Sequence, residues 1–490
     1  MSSPLMVTIS GVRGIVGQSF TPAVVCTYVA AFGSLLRSRT GSGGGGTLVV
    51  GRDSRVSGPW VLQLVYGALM SLGFRVVDIG IVPTPTVQYM VKKLSAEGGV
   101  IITSSHNAEP WNGLKFVDRD SLFLSPQQCE QMFKLAEEGQ FSFPAYTEVG
   151  HVETLDSAAQ QHIEAILELP YIKPESIKEL GLKVVLDAVN GAGGPIMLSL
   201  LQRLGVEVVG LNLEPTGLFA HPPEPVPAHL QQICDKVREE GADLGIALDP
   251  DADRCVFINE SGQPLGEEYT LVMAVNFILG HCGKRGPVCK NLSSSRAVDD
   301  VAALYSCPVY ATPVGEIHVA KMMEETHAVI GGEGNGGVML PDVHIGRDSL
   351  VAAALALQHL AVFSQAQQSK QTISTLKGTL PQYHIVKLKA PIEGIDPEAV
   401  VRHFKAAWSD KALALDESDG LKIDIDYARL HQQENGEETP LLSDKRWVHL
   451  RKSNTEPIIR VIGEAGTEED ALATCSHFLE EIQKMALSSS

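Results

Sequence analysis

Apolar, β-branched strands alternate with segments of helical periodicity along most of this chain, and this alternation restricts the fold more than any other feature. Thr47–Gly51 (TLVVG) predicts a short strand, Trp60–Leu72 repeats apolar residues at helical spacing, and Phe74–Ile79 returns to strand character. Gly99–Thr103 (GVIIT) predicts a further strand that runs directly into a polar turn. Strands and helices that alternate in this way are typical of α/β domains.

The same plan recurs twice further along the chain. Lys183–Leu186 (KVVL) leads to a loop and a helix, and Asp243–Leu248 (DLGIAL) predicts a strand that ends in an acidic turn. Pro287–Lys290 (PVCK) again leads to a loop and a helix, and Ala328–Ile330 ends in a glycine-rich turn. Open α/β sheets bind ligands at the carboxyl ends of their strands. We therefore predict three similar α/β units, each of which presents such loops.

After about residue 370 the pattern changes to that of a smaller α+β domain. The predicted elements there are the strands Gln382–Leu388, Leu421–Ile425 and Trp447–Arg451 and the helices Asp396–Lys405 and Glu468–Lys484. Linkers near residues 150, 258 and 370 predict domains at 1–150, 151–258, 259–370 and 371–490. The run Gly41–Gly46 (GSGGGG) predicts a flexible surface loop.

Composition and charge exclude several classes of protein. The chain has 490 residues, of which 44% are hydrophobic and 20% charged, so it can bury several cores. Its formal net charge of −19 argues against a nucleic-acid partner. No apolar run reaches the roughly 20 residues of a membrane span, and the start of the chain lacks the pattern of a secretory signal. We therefore expect a cytoplasmic protein without a membrane partner, and the absence of a CxxC pair favours reduced thiols.

The polar turn after the strand Gly99–Thr103 contains Ser105, and His106 follows it directly. Lys115 stands ten residues after Ser105. A hydroxyl beside an imidazole, with an ammonium nearby, suits a serine that accepts and releases a group while a base moves protons. A turn that only caps the next element would use the same residue types, so this alternative stays open.

Three carboxylates, those of Asp249, Asp251 and Asp253, alternate along the acidic turn. Such a cluster of like charge is tolerable when a cation lies among its oxygens, and carboxylate oxygens suit Mg²⁺. Glu260 stands at the twelfth place of an EF-hand, but Arg254 stands at the sixth, where that motif needs glycine. We predict a compact Mg²⁺ site at a strand end, and a solvated acidic turn is the alternative.

Two later turns combine flexible backbone with polar side chains. In Gly331–Gly337 (GGEGNGG), glycines allow close approach of a ligand, while Glu333 and Asn335 offer acceptors and donors suited to sugar hydroxyls. In Arg451–Arg460 (RKSNTEPIIR), two arginines, two hydroxyls and turn amides could hold a phosphate dianion. Plain solvated turns remain the alternative for both. Arg13 lies in a further, glycine-flanked turn.

In this order, the four motifs resemble those of the α-D-phosphohexomutase superfamily of phosphoglucomutases, phosphomannomutases and phosphoglucosamine mutases. The resemblance covers nearly the whole chain and extends to Val50–Gly58 and Asp187–Gly194. It implies an α/β fold with three similar domains of mixed sheets plus a C-terminal α+β domain, arranged around one cleft. It also implies Mg²⁺ and a sugar 1,6-bisphosphate as cofactors, a hexose phosphate as small-molecule partner, and a monomer or homodimer.

The resemblance further implies roles for individual residues. Ser105 matches the serine that is phosphorylated in the resting enzyme, and its oxygen joins Asp249, Asp251 and Asp253 as a metal ligand. Lys115 matches the proposed general base. The other matches surround the reacting phosphoryl group (Arg13, His106 and Arg254), contact the sugar (Glu333 and Asn335) or hold the non-reacting phosphate (Arg451, Ser453, Asn454, Thr455 and Arg460).

Two residues depart from the pattern of the superfamily. Gly337 stands where several relatives have a histidine proposed as general acid, so either His344 or a water takes that role, or the role is not needed. Glu316 stands where certain relatives have a histidine that faces the substrate. Both positions lie where the sugar would bind, and the choice among glucosamine, mannose and glucose phosphates stays open.

The implied reaction moves a phosphoryl group between C1 and C6 of a hexose phosphate, through a phosphoserine enzyme and a sugar bisphosphate. One rival is a phosphoserine-dependent sugar phosphatase or phosphotransferase, in which another acceptor takes the phosphoryl group. A second rival is a non-catalytic sugar-phosphate-binding protein, which is disfavoured because the serine, the carboxylates and the phosphate loop are all intact.

Overall fold

The computed structural model describes residues 5–40, 45–392, 396–427, 444–453 and 458–489. Two predicted phosphate-loop residues, Asn454 and Thr455, lie outside this set, as do residues 41–44 of the predicted glycine-rich loop. The last two glycines of that run, Gly45 and Gly46, begin a strand, so the loop is shorter than predicted.

The first unit is built on a seven-stranded mixed sheet. Its elements are β1 (Met6–Thr8), β2 (Gly11–Ile15), α1 (Pro22–Thr40), β3 (Gly45–Arg52), α2 (Gly58–Ser71), β4 (Phe74–Ile81), α3 (Thr84–Lys93), β5 (Gly98–Ile102), β6 (Trp111–Asp118), α4 (Pro126–Glu138) and β7 (Val152–Thr154). The strand order is β1-β2-β6-β5-β3-β4-β7. β5, β3, β4 and β7 run parallel, and β6, β2 and β1 pair antiparallel in turn.

The second and third units each contain a four-stranded sheet. The second comprises α5 (Ala158–Leu167), α6 (Pro174–Lys178), β8 (Lys183–Asp187), α7 (Gly193–Arg203), β9 (Glu207–Leu211), α8 (Gln231–Glu240), β10 (Leu244–Leu248) and β11 (Cys255–Ile258). The third comprises α9 (Glu268–Asn276), β12 (Val288–Asn291), α10 (Ala297–Leu304), β13 (Val309–Thr312), α11 (Glu316–Thr326), β14 (Ile330–Glu333), β15 (Gly337–Met339), α12 (Ser349–Ala366) and α13 (Ile373–Gly378).

The three units share one strand topology. The equivalent strand orders are β6-β5-β3-β4, β11-β10-β8-β9 and β15-β14-β12-β13. In each, the strand that comes first in the sequence (β3, β8 or β12) is central, and the strand that comes last (β6, β11 or β15) pairs antiparallel at one side. This equivalence confirms the prediction of three similar α/β units with mixed sheets. The carboxyl ends of corresponding strands therefore present corresponding loops.

The fourth unit has a different architecture, as predicted. It comprises β16 (His384–Pro391), α14 (Pro397–Trp408), β17 (Ala414–Asp416), β18 (Leu421–Asp426), β19 (Lys445–Lys452), β20 (Ile458–Ala465) and α15 (Glu468–Ser489). Its sheet is antiparallel with the order β16-β20-β19-β18-β17. Phe404 and Trp408 of α14 pack on Phe478 of α15 with ring centroids 5.0 and 5.3 Å apart, which anchors both helices over the sheet.

Among the helices of the described residues, α12 has the length and hydropathy of a membrane span. Most of its residues are buried inside the protein, where they join a hydrophobic cluster that runs from β3 to α13. α12 is therefore the central core helix of this molecule, and its buried N-terminus lies beside the third sheet.

Candidate active site

One cavity of about 490 Å³ brings loops from all four units together. The predicted site residues that line it are Arg13, Ser105, His106, Lys115, Arg254, Glu333, Asn335, Arg451, Ser453 and Arg460. These residues are separated by up to hundreds of positions in the sequence, so their convergence supports the proposal that they form one site.

Ser105 occupies a constrained turn at the end of β5. Its backbone has φ of +49°, a left-handed conformation that is uncommon outside glycine. Its amide donates to Thr103 Oγ1 at 2.9 Å, and its hydroxyl lies 3.2 Å from His106 Nδ1. Backbone strain of this kind clusters at active sites, where the surrounding contacts hold it in place.

The contact that holds this turn is Arg55, which the sequence analysis did not single out. Its buried guanidinium donates to the carbonyl oxygens of Ser105, Asn107, Ala108 and Trp111 at 2.6 to 2.9 Å. Asp53 accepts from Arg55 Nε at 3.0 Å and offsets its charge. The signal available in the sequence was the segment Val50–Gly58, which resembles the superfamily but shows no partner for its charges.

The carboxylates of Asp249, Asp251 and Asp253 meet after β10, as the strand-end prediction requires. All three side chains are buried, and their ligand oxygens lie within 4.8 Å of one another. Asp249 Oδ2, Asp251 Oδ1 and Asp253 Oδ1 have no hydrogen-bond partner among the described residues. Burial and the neighbouring carboxylates raise the pKa of Asp249 well above its ordinary value. Carboxylate oxygens without a hydrogen bond and mutual repulsion are the conditions that a divalent cation relieves, so the triplet fits Mg²⁺.

Lys115 lies at the junction of the first and second units. Its Nζ is 2.7 Å from Asp251 Oδ2 and 3.4 Å from Asp253 Oδ2. Burial opposes the ammonium charge, but the two carboxylates outweigh it and raise the pKa of Lys115. In this arrangement Lys115 is held as a cation.

The other groups around Ser105 are His106, Arg13 and Arg254. The Arg254 guanidinium, together with burial, holds the pKa of His106 well below its ordinary value, so the imidazole is neutral. Glu224, which the sequence analysis did not identify, lies 3.3 Å from Arg254 Nη1 and 3.8 Å from His106 Nε2. The Nε atoms of Arg13 and Arg254 are buried without a hydrogen-bond partner among the described residues, so both can donate to an anion.

Glu333 at the end of β14 is fixed by donors from several loops. Its Oε1 accepts from Asn291 Nδ2 at 2.7 Å and from the Gly315 amide at 3.1 Å, and its Oε2 accepts from Arg347 Nη1 at 2.9 Å. Asn335 Nδ2 approaches the same Oε2 at 3.5 Å. The carboxylate is thus preorganised beside the cavity.

The two departures from the superfamily pattern both lie against Arg347. Glu316 Oε2 accepts from Arg347 Nε at 3.1 Å, and a Cβ at Gly337 would lie 2.3 Å from Arg347 Cδ. His344 is buried with its Nε2 3.1 Å from Asp348 Oδ2, and it is absent from the described residues that line the cavity. The side chain that lies against the sugar loop is therefore that of Arg347, and not that of His344.

Arg451 and Arg460 stand directly opposite each other on β19 and β20. Like charges in such a cross-strand pair repel each other unless an anion lies between them. Asp419 Oδ2 accepts from Arg451 Nε at 2.6 Å, and Ser453 is buried at the end of the strand. The described part of the phosphate loop therefore retains the charge pattern of an anion site.

The fold consists of three repeated α/β units and an antiparallel domain. It carries a serine in a strained turn, a buried carboxylate triplet and an arginine pair. This combination defines a class of protein that handles phosphorylated ligands beside a divalent cation. The chain belongs to the α-D-phosphohexomutase superfamily. The phosphoglucomutase/phosphomannomutase family models for alpha/beta/alpha domains I, II and III match residues 6–142, 160–262 and 266–383.

Curated relatives and solved structures extend this match along the whole chain. A phosphoglucomutase/phosphomannomutase from Thermococcus kodakarensis is 35% identical over 94% of both chains. A phosphoglucosamine/phosphogalactosamine mutase from Sulfurisphaera tokodaii is 30% identical over 97% of both chains. The crystal structure of a phosphoglucomutase/phosphomannomutase family protein from Burkholderia thailandensis superposes with a TM-score of 0.78, at 26% identity over 98% of both chains.

Proposed function

We propose that this chain is a Mg²⁺-dependent phosphohexomutase that moves a phosphoryl group between C1 and C6 of a hexose phosphate. The observation that carries the proposal is one cavity lined by Ser105, Lys115 and the Arg451/Arg460 pair. The Asp249/Asp251/Asp253 triplet lies behind it and is joined to it by the ion pairs of Lys115 with Asp251 and Asp253. All four units, with proposed boundaries at 1–150, 151–258, 259–370 and 371–490, contribute residues to the cavity.

The proposed cycle begins with a phosphoryl group on Ser105 Oγ. The bond from phosphorus to Oγ breaks while a bond forms to the free hydroxyl oxygen of a sugar phosphate, and the proton of that hydroxyl passes through a base to the leaving Oγ. The resulting bisphosphate turns over in the cleft and returns its other phosphoryl group to Ser105, whose hydroxyl proton passes back to the sugar oxygen that the phosphoryl group leaves. When bound among the three carboxylates and a phosphoserine oxygen, Mg²⁺ supplies charge that offsets the negative charge on the transferring group.

The residues of the chain have distinct roles in this cycle. Arg13, Arg254 and His106 surround the phosphoryl group and donate hydrogen bonds to it. Lys115 can act as a base only in its neutral form, and its ion pairs with Asp251 and Asp253 oppose that form in the substrate-free protein. As an ammonium, Lys115 stabilises charge on the transferring group instead.

Recognition of either end of the bisphosphate follows from the chemistry of the phosphate loop. Arg451 and Arg460 bind a phosphate dianion through charge, and the charge of the phosphate is the same whether it is on C1 or C6. Glu333, with both oxygens already positioned, accepts from sugar hydroxyls between the two phosphates.

The first test is the state of Ser105 in the purified protein. Phosphorylation of Ser105 would add about 80 Da to the peptide that contains it, measured by mass spectrometry. We expect Ser105→Ala to lose this mass and all mutase turnover, whereas Ser104→Ala, a matched control in the same turn, keeps the mass. Full turnover by Ser105→Ala would refute the proposal.

A coupled assay then distinguishes the rivals and the sugars. Glucose, mannose and glucosamine phosphates are compared side by side with a trace of the matching bisphosphate. Release of inorganic phosphate without interconversion of the sugar phosphates would favour the phosphatase. Binding without either reaction would favour the non-catalytic protein, and a preference of about tenfold would identify the sugar.

A further inference from the structure

Arg347 connects three loops that the proposed reaction must keep aligned. Its Nη2 donates to Asp253 Oδ2 at 2.6 Å, and its Nη1 donates to Glu333 Oε2 at 2.9 Å. Its Nε donates to Glu316 Oε2 at 3.1 Å. One rigid guanidinium therefore spans the metal loop of the second unit and the sugar loop of the third, a geometry that a lysine could not reproduce.

The backbone at Arg347 is itself held in place. The next residue, Asp348, caps α12 by accepting from the amides of Leu350 and Val351 at 2.9 and 3.2 Å. Its other oxygen, Oδ2, lies 2.8 Å from His162 Nε2 and 3.1 Å from His344 Nε2. All three of these side chains are buried, so Arg347 extends from a fixed point at the junction of the units.

The two departures from the superfamily pattern are Gly337, which leaves space for the Arg347 side chain, and Glu316, which supplies a negative charge beside it. A Cβ at Gly337 would lie 2.3 Å from Arg347 Cδ and 2.8 Å from Cγ, closer than any side chain tolerates. Glu316 accepts from both the amide and Nε of Arg347. A histidine at position 337 and the observed position of the Arg347 side chain therefore exclude each other.

We propose that Arg347 is a positioning residue for the phosphoryl transfer, and this inference rests on the proposed function. By holding Glu333 at a fixed distance from Asp253, it sets the position of the sugar relative to the metal loop and Ser105. Gly337 leaves the space that the Arg347 side chain occupies, and Glu316 supplies acceptors for it. Misplacement of the acceptor hydroxyl by about 1 Å can cost on the order of a hundredfold in rate.

The first experiment separates transfer to a sugar from transfer to water. We expect Arg347→Gln to lower kcat/KM for glucose 1-phosphate about 100-fold. Arg347→Lys should lower kcat/KM less than Arg347→Gln does, but it should not reach the wild-type value. Phosphate release from phosphorylated Ser105 to water, without sugar, should change by less than about threefold, because water needs no alignment by Glu333. Arg285→Gln is the matched control, since Arg285 is exposed and stacks on Tyr305 away from the cavity.

The second experiment is a double-mutant cycle between positions 337 and 347. Gly337→His should lower kcat/KM strongly in the wild-type chain, where Arg347 occupies the space. In an Arg347→Ala background the same histidine should cost at least about tenfold less, because the clash is gone. Equal costs in both backgrounds would show that the two side chains do not compete.

The outcomes distinguish this inference from the function on which it rests. If the wild-type chain neither phosphorylates Ser105 nor interconverts any sugar phosphate, the proposed function fails. If the wild type is active and Arg347→Gln keeps its turnover, or loses sugar transfer and phosphoserine hydrolysis equally, the positioning role is wrong. Circular dichroism of each variant confirms that the fold is retained, and Arg347→Lys provides the comparison should Arg347→Gln not fold.

Discussion

At the scale of single residues, the site depends on charged side chains that are buried and matched. Arg55 and Asp53 are both almost completely buried. Arg55 donates to four carbonyl oxygens of the turn that carries Ser105, and Asp53 accepts from Arg55 and offsets its charge. A buried pair of this kind contributes little net stability as a pair, but removal of one partner leaves an uncompensated charge. Its value lies in the fixed conformation of the serine turn.

We predict that Arg55→Met destabilises the first unit by about 3–5 kcal/mol, because Asp53 is left buried without its cation. Turnover should fall as well, since the carbonyl oxygens of the turn lose their donors. The double variant Asp53→Asn/Arg55→Met should recover part of the stability but none of the activity. Urea unfolding followed by fluorescence, with turnover measured in parallel, checks both parts. Recovery of activity in the double variant would contradict the role of Arg55 in positioning the turn that carries Ser105.

At the scale of elements, the sugar loop is fixed by the start of α9. Glu268 lies so close to Gly334 that a Cβ there would be 1.9 Å from Glu268 Oε2. The Ser295 amide donates to the same carboxyl at 2.9 Å. Burial is the main cause that raises the pKa of Glu268, to about 8. The absence of a side chain at Gly334 therefore allows the buried carboxyl group of Glu268 to pack against the sugar loop.

This arrangement predicts a pH dependence of stability. Between its ordinary pKa near 4.5 and the raised value of about 8, Glu268 keeps a proton in the folded state that the unfolded chain has released. Stability therefore falls as pH rises through this window, by at most about 1.4 kcal/mol per unit. Glu268→Gln should remove this contribution, so the melting temperature of the variant relative to the wild type should rise from pH 5 to pH 8. A constant difference would show that Glu268 ionises normally.

At the scale of the whole molecule, the fourth unit is joined to the third by polar contacts beside the cavity. Arg296 Nη2 donates to Asp424 at 2.7 Å, and Lys422 Nζ donates to the Leu292 carbonyl at 2.8 Å. Asp419 Oδ2 accepts from both Arg451 Nε and the Val314 amide. The cleft thus gathers cations from several units, which lets a chain of net charge −19 offer a basic site to phosphates.

We predict that Asp419→Ala raises KM for the sugar phosphate about tenfold while kcat changes by less than about threefold. Asp419 orients Arg451, and a grip on the non-reacting phosphate contributes equally to the ground state and the transition state. Asp416→Ala is the control, because among the described residues Asp416 accepts hydrogen bonds from Ser418, two positions away. Steady-state kinetics of both variants test the idea, and an unchanged KM for Asp419→Ala would contradict it.

The parts of the site that could be predicted from sequence are those that are contiguous in it. Ser105 with His106, and the three alternating aspartates, identify their chemistry because neighbouring residues share a turn whatever the rest of the chain does. Arg55 and Arg347 were missed because the groups that they hold in place, the turn of Ser105 and the carboxylates of Asp253 and Glu333, are distant from them in sequence. Gly337 and Glu316 were visible as departures, but their common cause, the Arg347 side chain, is a tertiary contact.

The sequence by itself determined the alternation of strands and helices, the three repeated α/β units, the α+β domain that follows them and the superfamily. Those features depend on local periodicity and on motifs of a few residues, which the chain carries in any conformation. Only the tertiary structure decided which charges pair, that Lys115 is held as a cation, and that Arg347 links Asp253 to Glu333. Pairing and burial set these energies, and both arise only when segments far apart in the sequence pack together.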